Sequence, residues 1–241
     1  MNGGRRQINP MLMMIILLII MRFVRGGIGD PISWLTTHLL MLPAILVGLS
    51  LHEFGHAIVS DRLGDPTPRN QGRVTINPIS HVDPMGLVCL IFAGFGWGIP
   101  VQVNPSYYKH RRRDEALVAI AGVTMNLLIA LAATLILKLI ISVSGSAFLF
   151  STAGGVITDI LQYMIQINIV LMVFNLLPIP PLDGFNLITQ IFNLSKYSWY
   201  HTLYSKGGII LLLVVLLGGT GYILGPIVNL FYGIIIKILA L

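Results

Sequence analysis

Apolar stretches separated by short polar connections dominate the chain. They cover residues 11–24, 35–60, 84–99, 116–141, 151–177 and 207–240. Because a membrane-spanning helix needs about 20 apolar residues, this pattern predicts an all-α polytopic membrane protein with about six hydrophobic elements. The last stretch is long enough for one tilted span or two short ones, and it leaves the side of the C-terminus open.

The charges between these stretches predict an orientation. The link 142–151 carries no charge, whereas three other connections carry basic side chains. The positive-inside rule therefore places those three in the cytoplasm. Arg22 and Arg25 count against this orientation, but the remaining charges outweigh them. The three connections are Ser60–Asp83, Pro100–Glu115 and Asn186–Lys206.

The stretch 84–99 cannot cross the membrane once if both of its flanks are cytoplasmic. Several glycines, among them Gly94, Gly96 and Gly98, weaken a helix here. Non-helical backbone at membrane depth is tolerated only against protein or a water-filled cavity. We therefore expect a re-entrant element beside a wet cavity.

The beginning of the chain resembles a signal peptide, because Arg5 and Arg6 precede the apolar run Met11–Met21. No small-residue cleavage pattern follows, which favours a retained first span or signal anchor. We expect one transmembrane domain over 1–241, with an extra span in 1–34, a core in 35–185 and C-terminal span or spans in 186–241.

The composition agrees with a membrane protein. Hydrophobic residues make up 55% of the chain and charged residues 10%, far below the quarter typical of soluble domains. The formal net charge is +6, and the lysines and arginines lie between the apolar stretches. This distribution favours membrane lipids as partners and argues against nucleic acid. A single cysteine, Cys89, excludes an internal disulfide and is expected to be a small buried hydrophobe.

The strongest chemical signal is His52-Glu53-Phe54-Gly55-His56, inside the stretch 35–60. Residues four apart share one helix face, so both imidazoles can reach one metal ion. Zinc lowers the pKa of its water toward 7, and the adjacent carboxylate can serve as general base. Ionisable side chains in hydrocarbon are costly unless they coordinate or pair, so a catalytic metal site is the favoured interpretation.

A zinc hydrolase normally uses three protein ligands. His81 lies in a polar loop, where a solvated histidine is expected. Asp183 is a better candidate, because it follows Pro180-Pro181 at the inner end of an apolar span and precedes Gly184. The prolines break the helix and the glycine permits an unusual backbone, so the carboxylate can be aimed back at the metal.

These motifs together resemble the site-2 protease family of intramembrane zinc metalloproteases. The resemblance rests on His-Glu-Phe-Gly-His followed far downstream by Asn175-Leu-Leu-Pro-Ile-Pro-Pro-Leu-Asp-Gly184. The resemblance extends through four further segments, which are Gly72–Pro78, His81–Gly86, Gly96–Pro105 and Ala121–Asn126. The chain is most similar to the minimal branch of the family, without PDZ or CBS domains.

The resemblance implies one Zn²⁺ per chain, bound by His52, His56 and Asp183, with Glu53 as base and proton shuttle. It also implies that Asn126 lies near the site, as a catalytic or substrate-binding amide or as an interhelical hydrogen-bonding residue. Val123 stands where the family usually has proline, and we expect this difference to alter the local helix break near Asn126.

The predicted substrate is a transmembrane protein or signal peptide, whose helix must unwind before hydrolysis. Val74–Asn77 and Val101–Asn104 have strand-like character. We expect them to form a small membrane-associated β-sheet in which Val101 and Val103 bind the cleaved segment as an added strand. Lys138 and Asp159 are expected to pair or snorkel.

The sequence thus predicts peptide hydrolysis within or near transmembrane segments, at the cytoplasmic side of a bacterial cell membrane. Two alternatives remain open, which are a metal-binding membrane transporter and a catalytically silent membrane chaperone. A transporter has no need of Glu53 beside the first ligand. The substrate's identity and the oligomeric state are not specified by the sequence.

Overall fold

The computed structural model describes residues 30–93, 96–217 and 219–240. The first apolar stretch and the other features predicted before residue 30 lie outside this range. Helices make up most of the described chain. Their bounds are α1 Pro31–Arg62, α2 Thr67–Asn70, α3 Pro84–Ala93, α4 Arg111–Leu149, α5 Thr152–Asn175, α6 Asp183–Phe192, α7 Ser198–Leu216 and α8 Gly219–Ala240.

Three described helices are long and apolar enough to cross a membrane, namely Pro31–Arg62, Arg111–Ser144 and Thr152–Asn175. Helix α1 begins where Asp30 accepts a hydrogen bond from the Ser33 amide at 2.9 Å, and it ends before Gly64, whose φ of 102° suits glycine. The last apolar stretch forms two helices, α7 and α8, instead of one tilted helix.

Helices α1, α4 and α5 pack against one another and form the core that holds the site. Small residues allow this approach: a Cβ at Gly48 would lie 2.9 Å from Leu171 of α5, and one at Gly55 would lie 2.7 Å from Met125 of α4. Buried aliphatic side chains of α4 and α5, including Ala130 and Ile169, continue the contact.

The two ends of the stretch 84–99 lie close together in space. Helix α3 is 10 residues long, about half of what a span requires. Afterwards the Ile99 amide donates to the His81 carbonyl at 2.7 Å, and Val82 and Gly98 form an isolated antiparallel bridge. This geometry agrees with the expected re-entrant element.

The predicted β-sheet is wrong for the described residues, where the isolated Val82–Gly98 bridge is found and no strand. Residues 101–104 are extended, but they direct amides at carboxylates: Val101 donates to Glu53 at 2.8 Å and Asn104 to Asp65 at 2.7 Å. Residues 74–77 lead into a short turn instead of a strand.

Two smaller expectations are also wrong. His81 is fully buried instead of solvated, and its Nε2 hydrogen-bonds to the Thr75 carbonyl at 2.7 Å. Lys138 does not pair with Asp159; its Nζ donates to the Ile238 carbonyl of α8 at 3.0 Å. Cys89 is buried, as expected.

Candidate metal centre

Helix α1 carries the His52–His56 pair into the core. The residues are 6% and 9% exposed, and their Nε2 atoms lie 3.1 Å apart. Burial of both rings on one helix face follows from their spacing of four residues. The two imidazoles therefore face a common point, as the motif predicts.

Hydrogen bonds behind the rings fix which nitrogen faces that point. His52 Nδ1 donates to Asn126 Oδ1 at 2.7 Å, and His56 Nδ1 donates to the Val118 carbonyl at 2.7 Å. Both acceptors are carbonyl oxygens, which have no hydrogen to donate. The hydrogen of each bond is therefore carried by Nδ1 of the histidine. Each Nε2 then presents a lone pair, which is the tautomer a metal requires.

Asp183 completes the group from the first turn of α6. Its Oδ2 lies 3.2 Å from Nε2 of His52 and 3.2 Å from Nε2 of His56. This oxygen is buried and accepts no hydrogen bond.

Such a donor set fits zinc. Two nitrogen lone pairs and one carboxylate oxygen converge in a buried place, where they repel one another unless a cation lies among them. Tetrahedral ligands at about 2.0 Å from zinc would be roughly 3.3 Å apart, close to the observed separations of 3.1–3.2 Å. His52, His56 and Asp183 can therefore hold one metal ion.

Glu53 lies beside this group and lines the same cavity. The cavity has a volume of about 570 Å³, and Val101 and Val103 form part of its wall. One carboxylate oxygen of Glu53, Oε2, accepts the Val101 amide hydrogen at 2.8 Å. The arrangement brings a potential base, a metal-binding group and an open volume together.

Asn126 is fully buried behind His52. Its Nδ2 donates to the Gly48 carbonyl at 3.1 Å and to Asn168 Oδ1 at 3.0 Å, while its Oδ1 accepts from His52. All amide hydrogens are thus engaged, so this geometry favours a role in orienting His52. Direct contact of Asn126 with substrate stays a prediction.

Gly122 provides the space in which the imidazoles lie. A Cβ at this position would overlap His56 Nε2 and lie 2.6 Å from His52 Cε1. Helix α4 continues without a break through Val123, which is buried in the core, so this chain shows no helix break where the family usually has proline.

Sequence reasoning missed several polar side chains of the cavity. The Asn175 side-chain amide donates to the Leu171 carbonyl at 3.0 Å, and the residue also lines the cavity. Its position at the end of α5, eight residues before Asp183, was the available signal. The others are Glu115, Asn186 and Gln190.

Below the cavity, a buried carboxylate links α1 to the loop 96–108. Asp65 Oδ2 accepts from Ser60 Oγ at 2.9 Å and from the Asn104 amide. Burial raises the pKa of the Asp65 carboxyl, but these hydrogen bonds outweigh it and lower that pKa. Burial raises the pKa of Tyr108, which bonds to Ser60, to about 12.

Comparison with known proteins identifies the family of the chain. The family model of peptidase family M50 matches residues 40–215, well over half of the chain. The chain belongs to peptidase family M50. This confirms the resemblance to site-2 proteases, and the protein is a zinc metalloprotease of the membrane whose substrates are proteins.

Named relatives agree with this membership of M50. The chain is 36% identical over 185 residues to "Putative zinc metalloprotease YwhC" of Bacillus subtilis, which covers 77% of this chain and 84% of that protein. It is 32% identical over 167 residues to "Putative zinc metalloprotease Rip2" of Mycolicibacterium smegmatis, covering 68% of this chain and 61% of that protein. Rip2 of Mycobacterium tuberculosis H37Rv is 31% identical over 169 residues, with coverage of 68% and 61%. No solved structure matches.

Proposed function

We propose that this M50 protease hydrolyses peptide bonds within or near transmembrane segments, at the cytoplasmic face of a bacterial cell membrane. Its substrates would be membrane proteins or signal peptides. The single observation that carries this proposal is the convergence of Asp183, from α6, with His52 and His56, which lie beside Glu53 on a helix long enough to span the membrane.

In this proposal His52, His56 and Asp183 bind one Zn²⁺. When bound, zinc would polarise the scissile carbonyl and make water acidic enough to attack near neutral pH. Asn126 and the Val118 carbonyl keep the two imidazoles in the required tautomer. Packing of α1 against α4 and α5 holds this arrangement rigid.

Glu53 acts as the general base and proton shuttle. Its carboxylate takes the proton from the attacking water and passes it to the nitrogen of the leaving amine. Val101 occupies Oε2 through its amide, so the other oxygen is the one that receives the proton. Val101 and Val103 also line the cavity and would contact the substrate backbone.

The domain division proposed from the sequence places this machinery in residues 35–185, with 1–34 and 186–241 as flanking spans. The core so bounded contains both histidines of α1 and Asp183 at the start of α6, while residues 35 and 185 themselves fall inside these two helices. The family match extends further, to residue 215, and so includes most of α7 as well.

Mapping cleavage sites in a bilayer tests the proposed location of hydrolysis. The protein is reconstituted in liposomes with a single-span substrate whose membrane segment contains glycine and proline, and the products are located by mass spectrometry. We expect cuts within or just inside the membrane segment. Cuts confined to soluble tails, or equal cleavage of a water-soluble peptide of the same sequence, would contradict the proposal.

A further inference from the structure

The loop that covers the cavity, here called the cover segment (Gly96–Tyr108), is attached to the rest of the protein at regular intervals. The Ile99 amide donates to His81, the Val101 amide to Glu53, and Gln102 accepts from Gln71 Nε2 at 2.9 Å. These attachments hold residues 99–104, which are not helical, against the catalytic helix.

Asp65 forms the deepest of these attachments. The residue is 0% exposed, and its Oδ2 accepts hydrogen bonds from the Asn104 amide at 2.7 Å and from Ser60 Oγ at 2.9 Å. Because Ser60 gives its hydroxyl hydrogen to Asp65, Tyr108 must donate to Ser60, at 2.7 Å. Asp65 Oδ1 accepts the Thr67 amide at 2.9 Å, which fixes the carboxylate plane.

The cover segment is attached at two nearby places. Val101 bonds to Glu53 on α1, and Asn104 bonds to Asp65, which lies three residues beyond the end of α1 and is joined back to it by Ser60. Because Val101 and Asn104 are only three residues apart, a length of at most about 10 Å, fixing the Asn104 end limits where the Val101 end can lie.

We propose that Asp65 is a positioning residue for the general base: by holding Asn104 and, through Ser60, Tyr108, it keeps the Val101 amide on Glu53 Oε2. This inference rests on the proposed function of Glu53. It assigns to Asp65 no contact with substrate or metal. Its effect is to present the free oxygen of Glu53 to the cavity in one orientation.

A role in positioning differs from a merely structural role in two ways. Loss of the Asp65 carboxylate should release the cover segment while the zinc ligands, held by α1, α4 and α6, stay in place. Restoring the position of the segment by other means should then restore catalysis. Gln71 and Gln102 offer such a means, because their exposed side chains meet at 2.9 Å outside the Asp65 network.

The test uses Asp65→Asn, with Asp61→Asn as the matched control. Asp61 lies four residues away and pairs with Arg69 Nη2 at 2.5 Å, without touching the cover segment. A second form of each protein carries Cys89→Ala, Gln71→Cys and Gln102→Cys, joined by a short bifunctional thiol reagent. Zinc content, kcat for a single-span peptide, and hydrogen exchange of the amides of residues 99–104 are measured in the full chain.

We expect Asp65→Asn to keep one zinc, to exchange the Val101 and Asn104 amides faster, and to lose about 100-fold in kcat, the scale of a misplaced catalytic group. Bridging should reverse the faster exchange and restore at least about 10-fold of the activity. Asp61→Asn should match the parent in all three measurements.

Unchanged exchange at Val101 in Asp65→Asn overturns the inference, and so does full activity, or a bridge that restores protection without restoring kcat. Should Asp65→Asn fail to fold, Tyr108→Phe removes one hydrogen bond of the same network and must show the same changes at smaller size. A parent that cuts no membrane segment would instead contradict the proposed function, and the exchange measurement would still decide the role of Asp65.

Discussion

The two walls of the cavity are built in different ways. The rear wall consists of helices α1, α4 and α5, and its metal-facing groups are held by close helix packing and buried hydrogen bonds. The cover segment has little regular structure, a single 3-10 turn at Pro105–Tyr107, and is held mainly by single hydrogen bonds to side chains. Changes to the rear wall should therefore alter zinc binding, whereas changes to the cover segment should alter turnover at constant zinc.

Gly122→Ala tests the rear wall most severely. Its new methyl group would overlap the imidazoles of His52 and His56, so the rings must move away from their common point. We expect zinc affinity to fall about 100-fold, the upper end of what loss of ligand orientation costs. A competition titration with a zinc chelator measures this.

Gly155→Ala is the matched control, because a Cβ there meets nothing within 4 Å. It should bind zinc like the parent. Equal affinity in the two variants would contradict the role assigned to Gly122.

Asn126→Ala removes the acceptor behind His52 without adding volume. The Nδ1 hydrogen loses its partner, so the ring is free to turn or change tautomer, and zinc affinity should fall about 10-fold. Asn126→Asp retains an oxygen acceptor and should bind zinc more tightly than Asn126→Ala, as measured by the same titration. The opposite order would show that the hydrogen bond to His52 is not what matters.

Gly207→Ala tests the turn that positions the third metal ligand, Asp183. A Cβ at Gly207 would lie 2.5 Å from Pro180 Cβ and 2.6 Å from its carbonyl oxygen, in the turn that leads to Asp183. We expect a loss of about 1–3 kcal/mol in stability and a few-fold weaker zinc binding. Gly208→Ala, whose Cβ meets nothing within 4 Å, should lose neither, and similar results for both would contradict this account.

Asp83→Asn should have the smallest effect, and one confined to the pH dependence of stability. Burial raises the pKa of Asp83, but the amides of Gly86 and Met85 and the Trp97 indole outweigh it and lower that pKa. The stabilisation is therefore present above the ordinary pKa of 3.8 and is lost as pH falls through the lower folded value.

Thermal unfolding in detergent between about pH 2 and pH 7 measures this dependence. The parent should lose stability below about pH 4, and Asp83→Asn should be less stable at pH 7 with a flatter acid limb. Parallel curves for the two proteins would rule out this contribution of Asp83.

The sequence predicts the rear wall better than the cover segment. A spacing of four residues puts His52 and His56 on one helix face whatever packs around them, and the proline-rich turn marks Asp183. Strand propensity at residues 101–104 is equally real, but the partners of those residues are the Glu53 and Asp65 side chains, which belong to another segment. A local pattern does not reveal such partners, and so the predicted sheet is absent from the described chain.

Burial of isolated polar residues was the other limit of prediction. Polar sequence around His81 suggested a solvated loop, whereas folding of residues 73–83 against 98–100 covers the ring completely. Lys138 was paired with the nearest acid along the helices, but a carbonyl near the end of α8 is its partner. Both errors arise because tertiary contacts between distant segments decide them.

The most direct test of the account compares the parent with Glu53→Gln, reconstituted in lipid, for zinc content and cleavage of a single-span peptide. We expect both proteins to hold one zinc per chain and the variant to lose at least about 1000-fold in cleavage, because the amide cannot accept the proton. A variant that keeps both its zinc and its cleavage would contradict the assignment of Glu53 as the base beside the metal centre.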